Sequence, residues 1–113
     1  MPAALLLLGL TSAASADCAW VLWQSNDMWL PERGPEKWWT SVDAYEVKPQ
    51  CDRAAIMFAG NEFQQAQRPE AKGVESADRI TPTAVRTKYK NGGWAFANFL
   101  CAPSTVDPRP VKP

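Results

Sequence analysis

Cys18-Ala19-Trp20-Val21-Leu22-Trp23-Gln24 reads as a β-strand that is apolar on both faces. Alternate residues of a strand point to opposite sides. Cys18, Trp20 and Leu22 therefore share one face, and Ala19, Val21 and Trp23 share the other. Such a strand is either covered on both faces or placed in the middle of its sheet. The rest of the chain is read here as that cover.

Upstream, Met1 to Ala16 is a short apolar run followed by small residues ending Ala14-Ser15-Ala16. This is the small-x-small pattern of a signal-peptidase site, and the run is too short to span a bilayer. The basic residues that usually open such a leader are missing, since the first Lys or Arg is Arg33; a true start further upstream would account for that. The expected division is a signal peptide over 1–16, a small domain over 17–102 and a proline-rich extended tail over 103–113. The 12 basic and 12 acidic residues balance to a net charge of zero. That removes any long-range attraction to nucleic acid or to anionic membranes. A mature chain of this length buries only about two thirds of its unfolded surface, so a covalent staple is of value.

Downstream of the first strand, Ser25 to Lys37 carries Asn26-Asp27, Pro31 and Gly34-Pro35, which read as loop breakers. Within it lies the apolar triplet Met28-Trp29-Leu30, either a lid folded back on the sheet or an exposed contact patch. Trp38 to Tyr45 alternates as a second strand, giving an antiparallel hairpin with the first. Pro49 to about Gln67 is the one helix, with Cys51, Ala55, Phe58, Ala59, Phe63 and Ala66 on its apolar stripe. The residue before its first turn, Val47, offers no side-chain acceptor for a cap. Arg68 to Pro82 is polar and reads as a mobile surface loop. Thr83–Lys90 and Trp94–Cys101 flank Asn91-Gly92-Gly93, the strongest short-range hairpin signal in the chain. The expected architecture is α+β, an antiparallel sheet of about four strands in the order β-β-α-β-β, with one helix packed on it.

Cys18, Cys51 and Cys101 allow three single pairings. In an exported chain one disulfide is expected. Cys51 opens the helix on its apolar stripe, and Cys101 ends the last strand on a face that Ala95 and Ala97 leave roomy. The Cys51–Cys101 pairing is favoured on that ground. The rival is Cys18–Cys101, and Cys18 lies close to a new N-terminus, where chains fray.

Two strings resemble a family of small exported bacterial proteins of uncharacterised role: Cys18-Ala19-Trp20-Val21-Leu22-Trp23, and Cys101-x-Pro103-x-Thr105-Val106-Asp107-Pro108-Arg109. Ala44-Tyr45 with Cys51 matches a third feature of that family. The resemblance implies export and a shared architecture but no activity. This chain departs from the family at Ser104, Pro110 and Val47, where the family tends to have Asp, Gly and Thr.

The chain has no His, which removes the usual nucleophile–base dyads and triads. Three scattered Cys without His make no zinc site. No phosphate loop, metal motif or dinucleotide fingerprint appears, so no cofactor and no catalysis are expected. Arg86, Lys88 and Lys90 near Trp94 and Phe96 are read as a solvated strand face rather than a nucleic-acid site. Of the six Trp, Trp20, Trp23, Trp38 and Trp94 are assigned to the core, and Trp29 and Trp39 to the surface. The expected function is a non-catalytic binding or structural module, periplasmic or secreted, with an envelope or extracellular protein as partner. The alternative is a glycan- or peptidoglycan-contacting module, and the contact patch in either case is Met28, Trp29, Leu30 and Trp39. No stable membrane insertion is expected once the leader is removed.

Overall fold

The structure, a computed structural model, describes residues 19–110. The expected leader and Cys18 lie outside the described residues. β1 (Trp20–Leu30), β2 (Gly34–Tyr45), β3 (Val74–Thr81), β4 (Ala84–Tyr89) and β5 (Trp94–Pro103) form one antiparallel sheet in the order β2-β1-β5-β4-β3. A single helix, α1 (Lys48–Ala66), joins β2 to β3 and packs on one face. β1 is interior to the sheet, as its two apolar faces require. The helix covers one of those faces.

The fold is α+β, with five strands instead of four. The added strand is β3, in the stretch read as a loop. β3 is an edge strand that buries little, with only Val74 and Ala77 half-buried. Its pairing with β4 slips between Val74 and Ser76 and again between Arg79 and Thr81. An edge strand broken by bulges loses the alternation by which strands are read.

The expected loop Ser25–Lys37 is also mostly strand. β1 runs to Leu30 and β2 starts at Gly34, with Pro31-Glu32-Arg33 as the whole connection. The Arg33 amide donates to the Leu30 carbonyl at 3.1 Å, and Gly34 follows at φ +76°. Pro in the turn and a left-handed Gly after it make a three-residue hairpin loop. Asn26, read as a breaker, sits inside the strand at 8% exposure, its amide bonded to Gln24.

A bulge in β2 sets which residues meet the helix. Leu22 pairs with Asp43 but Trp23 pairs with Ser41, so Val42 is the extra residue. Val42 and Tyr45 then both pack on the core, although strict alternation puts them on opposite faces. The core joins Leu22, Val85 and Phe99 of the sheet to Cys51, Ala54, Ala55 and Ala59 of the helix. The alanines let α1 approach closely, and Phe58 stacks on Phe99 at 6.0 Å. Ile56, apolar but off the helix's apolar stripe, is exposed.

Cys51 is fully buried and is bonded to Cys101, with Cα atoms 6.1 Å apart. This is the favoured pairing and it excludes Cys18–Cys101. A second tie holds α1 to the edge strand: the Arg79 guanidinium donates to the Ile56 and Pro82 carbonyls, both at 2.9 Å. The β4–β5 hairpin closes through Asn91-Gly92-Gly93, with Gly92 at φ +93°. The Asn91 side chain accepts from the Gly93 amide at 2.9 Å.

Candidate functional site

The face of the sheet opposite α1 carries an aromatic surface. Strand pairing places residues of neighbouring strands side by side on the same face. Trp29 of β1 is directly opposite Trp94 of β5, and Lys88 of β4 continues that row. In the next row Arg86, Phe96, Asp27 and Lys37 follow one another across β4, β5, β1 and β2. Further along, Trp23 meets Trp39 edge to face, with ring centroids 6.4 Å apart.

Trp29 and Trp94 are 36% and 41% exposed, and no element of the described chain covers them. Beside them lies an open cleft of about 660 Å³ lined by Asp27, Glu75, Arg86, Lys88, Trp94 and Phe96. Its charges are loosely held. Arg86 contacts Asp78 at 3.4 Å and Lys37 approaches Asp27 at 3.9 Å, both in solvent, where such pairs contribute little. They are accordingly free to turn toward a ligand.

The other end of this face is occupied by the tail. The Ser104 amide donates to the Ala19 carbonyl at 2.9 Å, and the Val106 amide closes a turn onto Pro103. Asp107 accepts from the Arg109 amide at 3.0 Å and from its Nε at 2.9 Å. The hydrogen bonds from Arg109 hold the Asp107 carboxyl down at about 2, below the usual carboxylate range. Arg109 then lies over the Trp23 ring. The tail is thus seated on the sheet, and β5 runs one residue into the segment assigned to it.

The expected patch is divided by strand alternation, because the triplet is strand and not loop. Trp29 and Trp39 are on the open face, four positions apart along the hairpin, roughly 13 Å. Met28 and Leu30 point to the helix side, where Leu30 packs against the Gly93 backbone. Trp39 is half-buried against Trp23. Trp38 and Trp94, assigned to the core, are exposed at 43% and 41%. Trp94 was signalled by its alternation with Ala95, Ala97 and Cys101, which puts it on the face of β5 away from the helix.

Among the described residues, no group of three or more His, Cys, Asp or Glu is arranged to hold a metal ion, and no helix is long and apolar enough to cross a membrane. The chain matches no known family model, no curated protein and no solved structure.

Proposed function

We propose that this chain is a non-catalytic binding module of the periplasm or extracellular space, and that the open sheet face is its contact surface. The observation that carries this reading is the Trp29–Trp94 pair, side by side and uncovered. Large aromatic side chains are costly to leave in water, and they dominate the energetics of contact surfaces. A buried disulfide supports an oxidising compartment, where such bonds persist.

A glycan is the second reading. It is favoured by the neighbouring cleft, where Trp94 and Phe96 lie beside Asp27, Arg86 and Lys88. Aromatic faces with a few polar groups at their edge suit sugar chains.

The test is a comparison of the wild-type chain with the Trp29→Ala/Trp94→Ala double variant. Retention of envelope proteins and co-sedimentation with peptidoglycan are both measured. Binding lost in the double variant with the melting temperature held supports the module; protein or glycan on the beads separates the two readings. Equal binding by both chains refutes the face.

A further inference from the structure

The helix covers only part of its own side of the sheet. It packs over Phe99, Cys101, Val85 and Ala97, and the next row, Met28, Ala95 and Thr87, is not part of that packing. There a cavity of about 190 Å³ opens, on the side of the sheet away from the Trp29–Trp94 pair.

Its construction follows from the register. In one row Trp38, Asn26, Ala97 and Val85 stand side by side across β2, β1, β5 and β4. In the next, Met28, Ala95 and Thr87 do the same. The small alanines of β5 make a floor, and Trp38 rises at one side at 43% exposure. Tyr89, Gln24, Asp27, Phe96 and, from α1, Glu62 also line it.

Apart from the carboxylates of Glu62 and Asp27, the polar side chains of the lining are neutral. Asn26 is 8% exposed, and its amide is held by Gln24, which donates to its Oδ1 at 3.0 Å. Among the described residues, the sole bond of the Asn26 Nδ2 is a long one, 3.4 Å, to the Gln24 carbonyl. An amide nitrogen carries two protons, so one is left to spend in a buried setting, where an unmade bond is costly. Thr87 adds a hydroxyl. Burial and the neighbouring Glu62 push the Tyr89 hydroxyl up from its ordinary value, so it too stays a neutral donor and acceptor. No cation lines the cavity, which disfavours an anion.

We infer that this cavity is a binding site for a single neutral polyhydroxylated six-membered ring, a sugar residue, with Trp38 against its C–H face and Asn26 bonded to its hydroxyls. Size limits the ligand to one ring. A cavity of about 150 Å³ holds benzene, and drug-sized sites begin at about 300 Å³. The site is independent of the open sheet face and stands or falls separately from it.

The test is a ¹H–¹⁵N correlation titration of the full disulfide-bonded chain with N-acetylglucosamine and with methyl β-D-glucoside. Saturable shifts are expected at Asn26, Thr87, Ala95 and Ala97, with a Kd on the order of 1 mM for so small a ligand. Ala97→Leu fills the floor and is expected to weaken binding at least tenfold. Should that variant fail to fold, Trp38→Ala at its exposed position serves instead, with a similar loss. Absence of saturable shifts with both sugars overturns the assignment. So do shifts confined to the Trp29 and Trp94 indoles, binding unaffected by either variant, or saturation by choline in place of sugar.

Discussion

Arg109 lies over the ring of Trp23, its guanidinium carbon 5.4 Å from the ring centroid. A proline-rich tail, which local sequence leaves without structure, is thereby laid on the half of the open face where Trp23 meets Trp39. Asp107 accepts from the edge of the guanidinium, at Nε, through both carboxylate oxygens, so the arrangement depends on the charge of a carboxylate.

That dependence sets a pH window. Asp107 has its carboxyl lowered from 3.8 to about 2 by the Arg109 bonds. A depressed folded value means that the clasp is fully present above about 4 and is lost as pH falls through about 2. Carbon-13 titration of the Asp107 carboxyl is expected to give a midpoint near 2, with Trp23 fluorescence changing over the same range. A midpoint near 4 would show that the clasp does not form in solution.

The disulfide closes a loop between residues separated by 50 positions. By chain entropy a loop of that size contributes about 4 kcal/mol. Among the described residues, Leu22 and Cys51 are the largest side chains with essentially no exposure, so the core has little in reserve. Cys51→Ala/Cys101→Ala is expected to lower the unfolding free energy by about 4 kcal/mol in urea titration. A loss below about 1 kcal/mol would mean that the reduced chain retains the constraint in another form.

Val47 caps α1 without a side-chain hydrogen bond, and it is 48% exposed. Val47→Asp supplies an acceptor for the first-turn amides and is expected to add about 1 kcal/mol. For a domain of this size that raises the melting temperature by about 4–8 °C. No gain would mean that the backbone at 47 does not hold the extended cap conformation.

Gly60 lies mid-helix, and a Cβ there would meet the Arg79 guanidinium at 3.5 Å, an ordinary contact. Gly60→Ala should therefore stabilise the chain by up to about 1 kcal/mol, the helix-propensity difference. The close helix–sheet approach rests on the buried alanines instead. A destabilised Gly60→Ala chain would show that α1 is nearer to β3 than the structure places it.

Gly93 presents the opposite case. A Cβ there would fall 2.8 Å from the Trp29 carbonyl oxygen and 2.8 Å from Leu30 Cδ2. The carbonyl is backbone and cannot turn aside. Gly93→Ala is expected to cost about 1–3 kcal/mol, read as a lowered melting temperature. A neutral result would place the end of β1 further from the turn.

Much of this architecture was written along the chain. The helix announced itself by the spacing of Cys51, Ala55, Ala59 and Phe63, and the second hairpin by Asn91-Gly92. The interior strand β1 showed in the unbroken apolar run from Ala19 to Trp23. These are local signals, carried by residues near one another in sequence. The Cys51–Cys101 pairing was legible too, because Cys51 lies on the helical stripe and Cys101 on the same strand face as Ala95 and Ala97.

Only the tertiary structure decided which faces stay open, because exposure depends on what packs across from a residue and not on its own type. One extra residue, Val42, shifted the faces of β2 in a way no alternation count registers. Edge position and two bulges concealed β3. The reach of α1 left Trp38 in solvent although its neighbours read as core, and left a cavity over Ala95 and Ala97, while Trp94 lies on the sheet face away from α1. Asn26 and Asp27 looked like loop residues because their polar groups are satisfied or exposed only once β1 is paired on both sides. A side chain's chemistry is local, whereas its cover is supplied by strands and a helix tens of residues away.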